Sequence, residues 1–316
     1  MIKSALATGS FFGLPEKTQA LLCMSPDYIA GRMMLVRAMV LGWHLDVVEA
    51  SSNPLKGIDK MYDFSAMVPM QVARSLDDLY KIKILIVGGG ALPDKVLNKL
   101  QNISTQIFGT YGMTETVTHI AVKRLNQSSL RGVTMQQYAK SEDVASIAVQ
   151  LRKDDHYHTL PCVRIAQDSR GCLVIDAPDV ADRQLITNDL VEIISETEFK
   201  WLGRYDNIIN SGGIKLIPEQ IEEKLSAIIK ERFFVTGVPD ELLGEKLVLL
   251  VEKNIDNKKE DYKDTVILSK AKNLLSKYEM PKAIYFLPKF IETKTKKIQR
   301  QQTLDLIFKK SSTSSD

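Results

Sequence analysis

Cysteine is scarce: Cys23, Cys162 and Cys172 are the only three in 316 residues. They are too few and too scattered for a disulfide framework or a four-ligand zinc site, which points to a reducing cytoplasm. Net charge is also small, +3 at neutral pH, and gives no general reason to expect a nucleic-acid or membrane partner. Long apolar runs are missing, since none approaches the roughly 20 residues that cross a bilayer. The opening MIKSALATGS has one lysine and then small polar residues, unlike a secretory signal. What is present, 44% hydrophobic and 26% charged residues, describes a soluble globular chain long enough for a large domain and a small one. Locally the charge differs: residues 252–316 hold 15 Lys/Arg against 9 Asp/Glu.

Periodicity makes the first two thirds an alternation of strands and helices. Ala20–Met24 reads as a strand, Ser25-Pro26 as the start of a helix with apolar positions at Ile29, Met33, Val36 and Val40, and Leu45–Val48 as the next strand. KILIVGGG is a buried strand entering a glycine turn, LPDKVLNKLQNI the helix after it, and TQIF the strand that leads into QIFGTYGMTETVTHI. The fold class is therefore α/β, with a mostly parallel sheet and covering helices. Ligands in such sheets bind at the carboxyl ends of strands, where Gly88, Gly89, Gly90 and GTYGMTET sit.

The last third reads as a separate α+β domain. NIINSGGIKLIPEQIEEKL predicts a strand, a Gly-Gly turn, a second strand and a helix opened by Pro218, with Glu219, Glu222 and Glu223 near its positive end. KLVLLVE and AIYFLP read as strands, and TVILSKAKNLLSKYEM as a helix ended by Pro281. The expected boundaries are a large domain over 1–203, a hinge at 204–206, a small mobile domain over 207–310 and a disordered tail at 311–316.

The loop after TQIF carries recognisable chemistry. A glycine-bounded Tyr111 offers a flat face for a ring, the threonine hydroxyls and backbone N–H groups suit phosphate oxygens, and Glu115 suits a hard cation such as Mg2+. These residues describe a nucleotide site, although the same residue types also build ordinary strand-end turns.

Further stretches follow in a fixed order: YGMTET (111–116), TND (187–189), WLGRYDNIINSGGIKLIPEQIE (201–222), VTGVPDELLGEKL (235–247) and KTKKIQR (294–300). Together they resemble the successive motifs of the acyl-adenylate-forming (AMP-binding) enzymes, which include acyl-CoA synthetases, luciferases and peptide-synthetase adenylation domains. SALATGSFFGLPEKTQALLCMSPDYIAGRMMLVRAMVLGWHLDVVEASSNPL is similar to the compact o-succinylbenzoate-CoA ligases of menaquinone biosynthesis.

That resemblance implies a cytoplasmic ligase that activates an aromatic carboxylic acid with ATP and Mg2+ and passes the acyl group to CoA. Lys297 would donate to the acyl carboxylate, Thr114 would contact the α-phosphate and Glu115 would hold the metal. Asp189 and Arg204 would grip the ribose, Gly88–Gly90 would let the adenine approach the backbone, and Tyr111 with Gly112 would close its other face. Asp206 matches the hinge about which the small domain turns, and Gly212 and Gly213 the lining of a pantetheine tunnel. A homodimer is left open by the sequence.

Arg37 stands in the apolar helix MMLVRAMVL, so its guanidinium snorkels, pairs with a carboxylate such as Asp46, or meets an anionic ligand. Because o-succinylbenzoate has a second carboxylate that is not activated, Arg37 is a candidate to recognise it, with Thr116, Thr118 and His119 completing the acyl pocket. Departures from the family accompany these matches. Its Ser/Thr/Gly-rich phosphate loop is absent, predicting weak adenylation or a nucleotide-binding relic, and Lys296 replaces the usual glycine while Lys294 and Lys296 flank the motif lysine. The HYH triplet with Cys162 is a weak metal signal, VGGG lacks the full dinucleotide fingerprint, and the basic KTKKIQR lacks the aromatics of a nucleic-acid surface.

Overall fold

The computed structural model describes residues 1–126, 155–253, 264–293 and 297–308. Lys294, Lys296 and the tail at 311–316 lie outside the described residues. The chain forms two compact units, one of Met1–Thr187 with Val191–Trp201, the other of Asn188–Leu190 with Leu202–Asp316. Among the described residues no helix is long and apolar enough to cross a membrane.

The first unit is built on β1 (Gln19–Leu22), β2 (His44–Val47), β3 (Tyr62–Met67), β4 (Ile82–Val87), β5 (Gln106–Gly112), β6 (His119–Arg124), β7 (Tyr157–Thr159), β8 (Arg164–Gln167), β9 (Cys172–Asp176), β10 (Leu185–Ser195) and β11 (Glu198–Arg204). They form one sheet in the order β2-β1-β3-β4-β5-β6-β7-β11-β10-β9-β8. Strands β2 to β5 of that order run parallel, and pairing is antiparallel at β5–β6, β6–β7, β7–β11 and β9–β8. The inner parallel strands β1, β3 and β4 are mostly buried because both faces are covered, whereas the edge strand β2 is exposed at His44 and Val47. Ala20, Leu22, Phe64, Ile86 and Phe108 pack on one side with Phe11 and Phe12 of α1 (Ile2–Phe12) and Met34 and Ala38 of α2 (Ile29–Leu41). Leu21, Met67, Leu85, Val87 and Ile107 pack on the other with Val72 of α3 (Pro69–Arg74) and Leu100 of α4 (Asp94–Leu100).

Three details of the first unit differ from the sequence expectation. Helix α2 begins at Ile29 with Tyr28 as its extended N-cap, because the Ser25 hydroxyl is spent in a local turn, donating to Asp27 and accepting from the Asp27 amide. Its buried residues are Gly31, Met33, Met34, Arg37 and Ala38; Ile29 is exposed. Strand β5 continues through Tyr111 to Gly112, since β6 folds back on it and pairs Thr110 with Val122 and Tyr111 with Ala121.

The second unit holds β12 (Ile209–Ser211), β13 (Ile214–Leu216), β14 (Phe233–Asp240), β15 (Gly244–Glu252) and β16 (Ala283–Leu287), ordered β13-β12-β15-β14 with β16 parallel to β15. Helix α5 (Pro218–Leu225) and α6 (Asp264–Ala271) cover one face through Ile221, Leu225 and Ile267. Leu304 of α7 (Arg300–Phe308) packs on the other with Phe234, Val248, Leu250 and Phe290. Helix α6 stops at Ala271, short of the expected Met280, where the amides of Leu274 and Leu275 both turn back to the Ala271 carbonyl.

Candidate functional site

The loop that links β5 to β6 is shaped by its own side chains. A Cβ on Gly112 would lie 2.4 Å from the Thr118 carbonyl oxygen, so only glycine permits the chain to double back so closely. Thr116 is fully buried. Its hydroxyl accepts from the Met113 amide at 3.0 Å and bonds the carbonyls of Met113 at 3.0 Å and Thr118 at 2.7 Å. It therefore clamps the loop: its one proton is shared between two backbone carbonyls, which leaves the hydroxyl no proton to donate to a ligand. Val117 has φ 65 and ψ −49, with the Thr118 amide bonded to the Thr116 carbonyl at 2.7 Å. This is the rare positive-φ γ-turn, costly for a β-branched residue, and nothing in the sequence signalled it. Thr114 and Glu115 stand exposed on the 3-10 turn that the clamp holds. Tyr111 meets the Phe199 ring edge-on at 5.2 Å and Tyr157 at 5.7 Å; Gly89 and Gly90, at the end of β4, are exposed.

His119, the first residue of β6, meets Arg37 in the interior. Arg37 is 2% exposed and its guanidinium is surrounded by neutral groups: Thr8 Oγ1 at 3.4 Å, Met34 Sδ at 3.7 Å and His119 Nδ1 at 3.5 Å. Among the described residues no carboxylate pairs with it, and Asp46 is bound instead by Lys60 at 2.8 Å and by the Tyr62 hydroxyl at 3.0 Å. Burial brings the Arg37 pKa down to about 10, which leaves it charged at neutral pH. Burial and then the Arg37 charge push His119 down to about 3, so the imidazole is neutral. A guanidinium can only donate, so Nδ1 accepts and the ring proton sits on Nε2. Among the described residues, that Nε2 and the Ser4 hydroxyl find no hydrogen-bond partner, and both residues line a cavity of about 20 Å³ with Ala7, Leu160, Pro161 and Val163. Thr118 Oγ1 lies 3.4 Å from His119 Nδ1. Ser4, Thr8 and Met34 escaped the sequence reading because they look like ordinary helix residues.

In the TND stretch the Thr187 hydroxyl donates to the Leu173 carbonyl at 2.8 Å, which leaves Asn188 and Asp189 to act. Arg204 reaches Asp189 at 3.4 Å and Asp206 at 2.9 Å, and the Asn188 amide donates to both Asp206 oxygens at 3.0 and 3.2 Å. Asp206 is thus fastened from two sides. In the second unit Gly212 and Gly213, with φ 60 and 80, form the two-residue turn between β12 and β13, a conformation closed to most side chains. Lys297 is exposed. Among the described residues no cluster of three or more His, Cys, Asp or Glu forms a metal site, and His158 lies 3.2 Å from Glu198.

No family model matches the chain. Curated relatives include the 2-succinylbenzoate–CoA ligases of Bacillus cytotoxicus, 25% identical over 97% of this chain and 66% of its own length, and of a Geobacillus species, 27% identical over 96% and 64%. The chain spans about two thirds of the length of these curated relatives. Among solved structures, the O-succinylbenzoate Coenzyme A synthetase (MenE) of Bacillus subtilis, in complex with ATP and magnesium ion, shares the fold at TM-score 0.71 and 19% identity, over 96% of this chain and 65% of that one. The acyl-CoA synthetase (AMP-forming)/AMP-acid ligase II-like protein of Dyadobacter fermentans is 35% identical over 97% of this chain and 83% of that one, with TM-score 0.58. With that identity over nearly its whole length, and with the adenylation motifs in order, the chain belongs to the AMP-forming acyl-CoA synthetase family.

Proposed function

We propose that this chain is an acid–CoA ligase acting on an aromatic dicarboxylate of the o-succinylbenzoate type. The observation that carries the reading is Arg37, a buried guanidinium without a counter-charge among the described residues. An isolated buried charge is costly, and an anionic ligand would offset that cost. The likeness to 2-succinylbenzoate–CoA ligases supports a substrate whose second carboxylate meets Arg37, beside the donor His119 Nε2–H. Since the cavity at His119 accommodates about one water, entry of the acid goes with displacement of the side chains around it.

In the first step a carboxylate oxygen of the acid attacks the α-phosphorus of ATP, and pyrophosphate leaves. Two anions approach each other, so the protein must supply positive charge and fixed donors where negative charge gathers. Lys297 donates to the acyl carboxylate, and Thr114 binds the α-phosphate. Asp189, almost fully buried, accepts from the ribose hydroxyls, with Arg204 beside it. Tyr111 and Gly112 face the adenine opposite Gly88–Gly90. The exposed Glu115 carboxylate would hold the Mg2+ ion. Bound there, Mg2+ would neutralise phosphate charge. In the second step the CoA thiol, losing its proton, attacks the acyl carbonyl and AMP departs. Gly212 and Gly213 leave room for the pantetheine arm, and Asp206 is the hinge residue between the two steps.

The test is to incubate the chain with ATP, Mg2+, CoA and a panel of mono- and dicarboxylic aromatic acids, resolving products by mass spectrometry. Acyl-CoA and AMP are expected from the dicarboxylate and not from its monocarboxylic analogue. Equal turnover of both acids would overturn the role of Arg37. Binding of AMP without product from any acid would make the chain a nucleotide-binding member without turnover.

A further inference from the structure

Lys297 is exposed, and its flexible stem can only be as well placed as the backbone beneath it. That backbone has two described arms, 291–293 and 297–299, paired antiparallel. The Thr293 amide donates to the Lys297 carbonyl at 2.8 Å, the Lys297 amide to Thr293 Oγ1 at 3.1 Å, and the Gln299 amide to the Ile291 carbonyl at 2.8 Å. Its first arm is tied down through Glu292, which pairs with Arg232 at 2.6 Å. The second arm runs into Arg300, three residues beyond Lys297. There the guanidinium lies 2.9 Å from each oxygen of Glu222, donates to the Val235 carbonyl at 3.0 Å and stands over the Phe234 ring at 5.5 Å. Glu222 accepts in addition from the Val235 amide at 2.7 Å.

Glu219, one turn earlier on α5, lies 3.9 Å from Arg300 and accepts from the Asn207 side chain at 2.5 Å, in the turn that follows Arg204 and Asp206. The two glutamates thus connect that turn to the root of the arm that carries Lys297. Burial of α7 does not require them, because Leu304 packs with Phe234 and Phe290 in an apolar cluster. A forked guanidinium held by a carboxylate adds direction, fixing the angle at which a helix starts.

Resting on the role proposed above for Lys297, we propose that Glu222 and Glu219, acting through Arg300, are positioning residues that aim Lys297 for acyl-adenylate formation. Their contribution belongs to the first half-reaction, where Lys297 acts, and not to thioester formation.

The experiment uses the full chain carrying Glu222→Gln, which keeps the shape and loses the charge, and Arg300→Lys, which keeps the charge and loses the fork. Acyl-adenylate formation is expected to slow about 10- to 100-fold in both, the range that small misplacements of a reacting group produce, with KM for ATP and the acid unchanged. Transfer from synthetic acyl-adenylate to CoA should stay near the wild-type rate. Adenylation at the wild-type rate, or an equal loss in both half-reactions, would overturn the proposal. Hydrogen exchange at the Lys297 and Gln299 amides supplies a readout without turnover: Glu222→Gln should speed it about tenfold, as expected when a local structural unit is loosened. Unchanged exchange overturns the positioning role. A wild-type chain that makes no acyl-adenylate sinks the ligase reading instead, and the exchange result then decides the brace on its own.

Discussion

Arg37 in the first unit and Arg300 in the second are both drawn in from solvent, yet they keep opposite company. Arg300 is held by Glu222 and the Val235 carbonyl, with Glu219 nearby, and its side chain keeps 28% exposure. Arg37 is 2% exposed and faces a hydroxyl, a thioether and a neutral imidazole. A compensated arginine is complete as the protein folds and serves geometry; on the function proposed above, the uncompensated one is completed by a substrate carboxylate. Removing each should therefore have opposite consequences for stability and for binding.

The largest effect is expected for Arg37→Leu. Loss of a charged partner for a substrate carboxylate should raise KM for the dicarboxylate about 100-fold, near 3 kcal/mol. The monocarboxylic analogue, which is not expected to be turned over by the wild type, should remain without product in the variant. Because the variant replaces a buried unpaired charge by an apolar side chain of lesser volume, its melting temperature should hold or rise. Steady-state kinetics on the two acids together with calorimetry test both halves; a marked fall in stability would break the contrast by showing that Arg37 is structurally compensated after all.

Arg300→Leu should behave in the other sense. It strands Glu222, whose carboxyl burial already pushes above the usual carboxylate range despite the arginine beside it. Breaking a fully buried pair costs about 3–5 kcal/mol; with Arg300 part-exposed, about 2 kcal/mol is expected, measured by urea unfolding of the second unit's transition. No loss would mean that the pair contributes direction alone, and would leave the positioning role as its whole function.

This difference between the arginines was only half legible in the sequence. Strands such as KILIVGGG and the hairpin around Gly212-Gly213 follow from local apolar runs and turn chemistry, and the motif order pointed to Asp189, Arg204 and Lys297 as residues to examine. Arg37 also stood out, as a lone charge in an apolar helix. What the sequence could not convey is who meets whom: His119 is 82 residues from Arg37, and Arg300 is 78 from Glu222. Glu219 and Glu222 look like ordinary acids at a helix start until β14 and α7 bring Arg300 against them. Thr116 shows the same limit at short range, since a threonine in a signature loop reads equally as ligand or clamp until its proton is seen to be held by the Met113 and Thr118 carbonyls.

The smallest effect sharpens the comparison through pH. Burial, reinforced by Arg37, lowers the His119 pKa to about 3, whereas in the unfolded chain it is about 6.5. Below 6.5 the unfolded chain takes up a proton that the folded one refuses, so stability contributed by the neutral imidazole is present above that pH and is lost as pH falls toward 3. The slope approaches about 1.4 kcal/mol per pH unit within that window. His119→Asn keeps an acceptor toward Arg37 and does not titrate, so its melting temperature should fall less steeply than that of the wild type between pH 6.5 and 5. Parallel curves would mean that His119 takes up its proton in the folded state beside Arg37. Two positive charges would then share one buried space with no counter-charge, and the neutral cage on which the reading of Arg37 rests would have to be abandoned.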